Sequence, residues 1–282
     1  MVVLREESLV KRNRTLFIFS FLFATSLGAQ DKMPSYGDEK AIIASKKKAV
    51  VKIESLMNDG NQEVGTGSYI GNGIIVTNFH VMRPYLEGKV KSLRILDWRG
   101  GAASKVSIGI CGGENQDVDL CSLKVEGLDL HYPFKLMSKV FKSNYEVNGY
   151  GYCASGGGLR AFNGPILEYI DGVGQHMGAY SKKLDKNSKA YKIGVANCKG
   201  SSGGPIFDPV SGELIAVFTR YYFDKTTEQK SFEELKKTAD FIANSSIQIL
   251  ELFKDNSNFR EISSEKINKE RKLASPYEVI PH

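Results

Sequence analysis

Between positions 49 and 244 the readable stretches of the chain are short β-type runs broken by glycine, so the pattern predicts an all-β protein. Ala49–Glu54 is the first strand. Residues 65–77 form two strands around a Gly71-Asn72-Gly73 turn, and Val90–Leu96, Ala103–Ile110 and Asp119–Val125 follow. Residues 127–144 read as a connector. A second set comprises Tyr145–Tyr152, Gly164–Ile170, Ala190–Ala196, Pro205–Phe207, Glu213–Arg220 and Phe241–Ala243. Within it Leu214-Ile215-Ala216-Val217-Phe218 is apolar on both faces, as a buried core strand is. Two groups of about half a dozen strands imply two packed six-stranded antiparallel barrels, over about 49–130 and 144–244. Ser245 or Ser246 then caps a helix over about 246–254 whose buried stripe is Ile247, Leu250 and Phe253, and residues 255–282 form a loose polar tail.

The N-terminal thirty residues stand outside this pattern. Lys11, Arg12 and Arg14 precede an apolar run from Leu16 to Leu27, shorter than the about 20 residues that span a bilayer. Ser26, Gly28 and Ala29 supply small residues for cleavage after Gly28 or Ala29. Residues 1–29 are therefore expected to be a signal peptide, residues 30–48 a polar leader or short propeptide, and the mature chain secreted or periplasmic without stable membrane insertion. That compartment favours disulfides. Four cysteines allow three pairings; Cys111 and Cys121 flank a short turn and are the pair expected to close a hairpin, with Cys153–Cys198 as the second, and free buried thiols are the alternative. The net charge of +6 comes with Lys and Glu interleaved and no basic, aromatic-bearing patch, so nucleic acid is not an expected partner.

Three segments carry chemistry. Ile75-Val-Thr-Asn-Phe-His80 is a β-run ending in a histidine. Asp119-Leu-Cys-Ser-Leu123 is an apolar strand opened by an acid, with Asp117 as a rival for the same role. Gly200-Ser201-Ser202-Gly203-Gly204-Pro205 puts a serine between glycines, where the backbone can bend sharply and expose Oγ. The same glycines satisfy the Gly-x-Ser-x-Gly elbow of α/β-hydrolases, which need the order Ser, acid, His and a helix straight after the serine. Here the only histidine beyond Ser202 is the terminal His282, and Gly203-Gly204-Pro205 opposes a helix.

Together the three segments resemble the histidine, aspartate and serine motifs of chymotrypsin-like serine proteases, and most of all bacterial Do-like proteases, in which a Gly-x-Gly hairpin leads into Val-Thr-Asn-x-His. The likeness runs over about 49–254 and lacks the C-terminal PDZ-type domain of that group. It implies a serine endopeptidase acting on protein or peptide substrates through His80, Asp119 and Ser202. The oxyanion would be held by the amides of Gly200 and Ser202, and Thr219 would support the aspartate. It also places Ala196, Arg220 and Tyr221 around the primary pocket. A small, neutral Ala196 argues against a taste for Lys or Arg, so a small or medium apolar side chain is expected, with an acidic one second because of Arg220. No metal or cofactor is implied, and His131 and His176 are expected to be structural or exposed. The rival from another class is a catalytically silent protease-fold scaffold that binds peptides or surfaces.

Overall fold

The computed structural model describes residues 38–111, 119–141, 143–154, 158–171, 189–195, 197–222, 240–254 and 260–261. Thirteen strands lie among them: β1 Val50–Met57, β2 Gln62–Gly71, β3 Ile74–Thr77, β4 Val90–Leu96, β5 Lys105–Cys111, β6 Cys121–Glu126, β7 Glu146–Tyr152, β8 Leu159–Asp171, β9 Lys189–Ile193, β10 Pro205–Phe207, β11 Leu214–Tyr222, β12 Asp240–Ser245 and β13 Arg260–Glu261. Helices α1 (Glu39–Lys46), α2 (Phe79–Leu86) and α3 (Ser246–Lys254) complete the order. The strands divide as the sequence predicts. The first sheet runs β13-β5-β6-β3-β2-β1-β4, and β7 to β12 close into a six-stranded barrel in the order β10-β11-β12-β9-β8-β7. In the first sheet β4 returns toward β5 through an isolated Leu96–Ala102 bridge and the Ala103 amide on the Ile95 carbonyl, rather than through a full ladder. Two residues of the expected tail are β13, paired with Ser107 and Ile108.

Strand periodicity explains the cores. Successive side chains point to opposite faces, so Val51, Ile53, Ile75, Leu123 and Val125 fill the first barrel, joined by Met82 of α2. Their neighbours of opposite parity, Val50, Val76 and Leu120, meet Phe134, Tyr150, Phe207, Leu214, Val217 and Ile249 in a separate cluster. Val147, Ile166, Tyr191, Ile193, Ile206, Ile215 and Phe218 fill the second barrel. β11 is apolar on both faces because it serves two cores at once. The Gly71-Asn72-Gly73 turn has positive φ at all three residues, 108°, 53° and 74°, which glycine and asparagine tolerate best.

Two cysteine pairs sit at disulfide distance, Cys111–Cys121 between β5 and β6 and Cys153–Cys198 between the end of β7 and the loop before Ser202. Part of the expected polar leader is structured. Asp38 caps α1 through its carboxylate on the Ala41 amide, and Ile42 and Lys46 are buried. Lys46 Nζ donates to the carbonyls of Tyr132 (3.2 Å) and Pro133 (3.0 Å) and lies over the Phe134 ring. The Tyr150 hydroxyl donates to the Ile43 carbonyl. At the other end, Ser245 Oγ accepts from the Gln248 amide and so caps α3. The buried side of α3 carries Gln248 and Ile249; Ile247 and Leu250 are half-buried, which shifts the stripe from the expected one.

Candidate active site

His80 does not end a strand, as its sequence suggests; β3 stops at Thr77 and His80 lies in the first turn of α2. Asn78 occupies the cap position but makes no side-chain cap. Its Nδ2 is diverted to the Asp119 carbonyl (2.9 Å) and to Thr219 Oγ1 (3.2 Å). Asp119 takes over the capping duty, accepting from the His80 amide through Oδ1 at 2.9 Å. A carboxylate at a helix N-terminus is favourably placed against the free amides there. The other carboxylate oxygen meets His80 Nδ1 at 2.7 Å. Both oxygens of Asp119 are thus committed to one residue, its main chain and its ring.

That geometry fixes the tautomer. An ionised carboxylate can only accept, so Nδ1 carries the proton and, in the neutral ring, Nε2 is left as the base. The Asp119 side chain is 5% exposed and the imidazole 38%, so the carboxylate is shielded while the ring is partly open to solvent. Asp117, the alternative acid, lies outside the described residues.

Ser202 sits on a tight turn packed against the first barrel. Gly200 and Gly203 have φ of +100° and +85°. A Cβ on Gly203 would lie 2.1 Å from the Thr66 carbonyl oxygen, and one on Gly204 2.2 Å from that of Tyr150, so neither position has room for a side chain. Three carbonyls of the turn accept from β2: Ser202 from the Thr66 amide (2.8 Å), Gly200 from Thr66 Oγ1 (2.8 Å) and Gly203 from Ser68 Oγ (2.9 Å). Thr77, three residues before His80, donates its hydroxyl to the Thr66 carbonyl at 2.7 Å. Among the described residues Ser202 Oγ has no hydrogen-bond partner, His80 included.

The amides of the turn fall into two sets. Those of Ser201, Gly203 and Gly204 donate to Cys198, Phe218 and Ser201 carbonyls. Those of Gly200 and Ser202, the expected oxyanion donors, have no acceptor among the described residues. Each belongs to a peptide whose carbonyl is held on the far side: Lys199 O accepts from the Ala154 amide and Ser201 O from the Gly204 amide, both at 2.8 Å. In a trans peptide C=O and N–H point in opposite directions, so pinning the two carbonyls aims the two free amides.

Thr219 is buried at a register shift in the β11–β12 ladder, and its hydroxyl reaches Asn78 and the Val217 carbonyl. The bulge re-aims the side chain from the strand face toward the site. Asn78 carries no sequence signal of this role, since a buried strut has no signature apart from its place before the histidine. Of the three pocket residues, Ala196 lies outside the described residues, and Arg220 and Tyr221 pair through their backbones with Ile242 and Phe241 of β12. His131 is bound to Asp129 beyond β6, and His176 lies outside the described residues.

Burial pushes the Tyr152 phenol, on the β7 end beside the serine turn, up to about 12, with the Asp97 carboxylate adding to it. Among the described residues there is no cluster of metal-ligating side chains and no helix long and apolar enough to cross a membrane.

Comparison with known proteins bears on the family and the fold. Residues 65–217 match the family model described as a trypsin-like peptidase domain. Among solved structures, the active form of the Rv3671c protease from M. tuberculosis is 20% identical, with a TM-score of 0.59 over 79% of this chain and 87% of that one. Its inactive Ser343Ala form aligns over 80% and 98% of the two chains, at 19% identity and a TM-score of 0.56. The HtrA-type protease AlgW, solved with a tripeptide, is 19% identical with a TM-score of 0.57, over 77% of this chain and 62% of its own. A search of curated proteins finds no match. The family match covers more than half of the chain, and on that ground the chain belongs to the trypsin-like peptidases, a family of serine endopeptidases.

Proposed function

We propose that the chain hydrolyses peptide bonds of proteins through an acyl-enzyme on Ser202, with His80 as the base and Asp119 as its orienting acid. The observation that carries this reading is the 2.7 Å contact of His80 Nδ1 with a buried carboxylate, which leaves Nε2 as the basic nitrogen of a partly exposed ring. A serine hydroxyl is a weak nucleophile at neutral pH and needs such a base. Ser202 Oγ attacks the scissile carbonyl as Nε2 takes its proton. Gly200 and Ser202 amides receive the developing oxyanion, and the imidazolium, stabilised by Asp119, protonates the leaving amine. Water then attacks the acyl carbon as Nε2 takes its proton, and the imidazolium returns that proton to Ser202 Oγ as the ester bond breaks and the acid leaves. The Ser202–His80 hydrogen bond this requires is one that commonly tightens only when substrate is bound.

Thr219 holds the acid indirectly, through Asn78, whose amide spans the Thr219 hydroxyl and the Asp119 carbonyl. Peptides are the substrates, as the tripeptide in AlgW suggests by analogy. A small, neutral Ala196 in the primary pocket favours a small or medium apolar side chain at the cleaved position, with Arg220 and Tyr221 at its edge. The two cysteine pairs and the basic, apolar N-terminus together suit a secreted or periplasmic protein.

The test is a peptide-library cleavage profile of the wild type beside Ser202→Ala and His80→Ala. Each substitution lowers turnover on the order of 10⁶-fold if the three groups act as a unit, and the wild-type profile centres on apolar residues. Equal turnover by all three proteins contradicts the mechanism and favours a silent scaffold with a contaminating activity. A profile dominated by Lys and Arg contradicts the specificity.

A further inference from the structure

Every polar group of one buried residue, Thr66 of β2, is spent on the candidate site. Its amide donates to the Ser202 carbonyl and its carbonyl accepts from the Thr77 hydroxyl. Its own hydroxyl donates to the Gly200 carbonyl at 2.8 Å and accepts from the Tyr152 amide at 3.0 Å. The side chain is fully buried. A backbone carbonyl could in principle be satisfied by many neighbours, but here one hydroxyl bridges a carbonyl of the serine turn and an amide at the end of β7. That strand end continues into Cys153, bonded to Cys198, and Ala154, whose amide pins the Lys199 carbonyl. The Gly200 amide lies in the Lys199–Gly200 peptide, so its direction depends on the relative placement of the two segments that the Thr66 hydroxyl joins.

We propose that Thr66 is the positioning residue of the oxyanion hole: its hydroxyl, by bridging the Gly200 carbonyl and the Tyr152 amide, sets the direction of the Gly200 amide against the tetrahedral intermediate. The inference rests on the peptidase reading above. Thr66 touches neither substrate nor reacting atoms; it acts through Gly200. A valine of the same shape keeps both main-chain bonds of position 66 and loses only the bridge, leaving the Gly200 carbonyl and the Tyr152 amide without a partner. Serine keeps the bridge and loses a methyl group.

The experiment measures peptide turnover, inhibition by a peptide boronic acid, and binding of the same peptide without its boronate, for wild type, Thr66→Val and Thr66→Ser. Peptide binding is read in a Ser202→Ala background, so that ground-state affinity is isolated. Misaiming one donor lowers kcat by up to about 10²-fold, since loss of a whole donor costs on the order of 10²–10³. Thr66→Val is expected to weaken the boronate by the same factor as kcat/KM while peptide affinity stays within about two-fold, and Thr66→Ser recovers most of the rate. Thr66→Ala, which leaves room for a water at the bridge, carries the same comparison if the valine protein does not fold. An equal loss of boronate and peptide binding, or full activity without the hydroxyl, overturns the proposal. A wild-type protein that neither turns over peptide nor binds the boronate overturns the peptidase reading itself, which separates the two failures.

Discussion

Gly203 tests whether the serine turn must lie against the first barrel. Alanine there meets two penalties. Its φ of +85° is left-handed, which costs an L-residue about 1–2 kcal/mol. Its Cβ would also sit 2.1 Å from the Thr66 carbonyl oxygen, 2.3 Å from Thr77 Oγ1 and 3.0 Å from Thr77 Cα, against the backbone of β2 and the last residue of β3, which cannot yield as the tip of a long side chain would. The turn must withdraw, which loosens the hydrogen bonds from Gly203 N to Phe218 O, from Ser68 Oγ to Gly203 O and from Thr66 N to Ser202 O. At about 1 kcal/mol each, the total is about 4–5 kcal/mol, a fall in Tm on the order of 10–15 °C for a domain of this size. A displacement of this kind costs on the order of 10²-fold in turnover. Gly60 is the matched control, with φ +89° and nothing within 4 Å of its Cβ; Gly60→Ala carries only the conformational cost, about 3–6 °C in Tm, and keeps activity. Calorimetry and peptide turnover on the two variants decide it. If both lose the same stability and both stay active, the close approach of the turn to β2 has no role.

Other consequences can be checked independently. Asp119→Asn, by admitting the wrong imidazole tautomer, lowers kcat on the order of 10⁴-fold with little change in Tm, read by steady-state kinetics and calorimetry. Replacing Cys153 and Cys198 by Ala opens a span of 45 residues and costs roughly 4 kcal/mol, against roughly 3 kcal/mol for Cys111 and Cys121, 10 residues apart; only the first pair holds the segment carrying Gly200, so only its loss lowers turnover more than stability alone accounts for. Burial, aided by the nearby Lys135 charge, pushes the Lys46 amine down to about 8 from its ordinary 10.5. Between those values the unfolded chain holds the extra proton, so denaturant stability rises with pH from about 8 toward 10.5. Lys46→Met, which removes the titrating group, flattens that rise; an unchanged pH dependence refutes the assignment.

Much of the fold was legible because strand alternation and glycine turns are local signals. β4 and β10 fall where the apolar runs lie, and the Gly71-Asn72-Gly73 turn is where its φ values require it. α2 was not legible. Pro84 within it reads as a helix breaker, yet it only removes the bond that would run to the His80 carbonyl, and the helix survives because Met82 is buried in the first core and Asp119 caps its start. α1 was hidden for a different reason: its buried side is completed by a lysine, which a polarity pattern assigns to solvent, while the chain satisfies that amine with two carbonyls. At the site, it was the resemblance to chymotrypsin-like proteases that singled out His80 and Asp119, whereas Asn78 and Thr66 make contacts with residues 41 to 141 positions away in sequence, which no local pattern encodes.

Peptide hydrolysis by this chain requires Ser202 to be an activated nucleophile served by His80. The most direct measurement is the stoichiometry and position of a fluorophosphonate adduct, read by intact mass and peptide mapping, on wild type and His80→Ala. One adduct per chain is expected, on Ser202, formed rapidly by the wild type and lost with the imidazole. No adduct, an adduct on another serine, or one that forms as fast without His80 would contradict it.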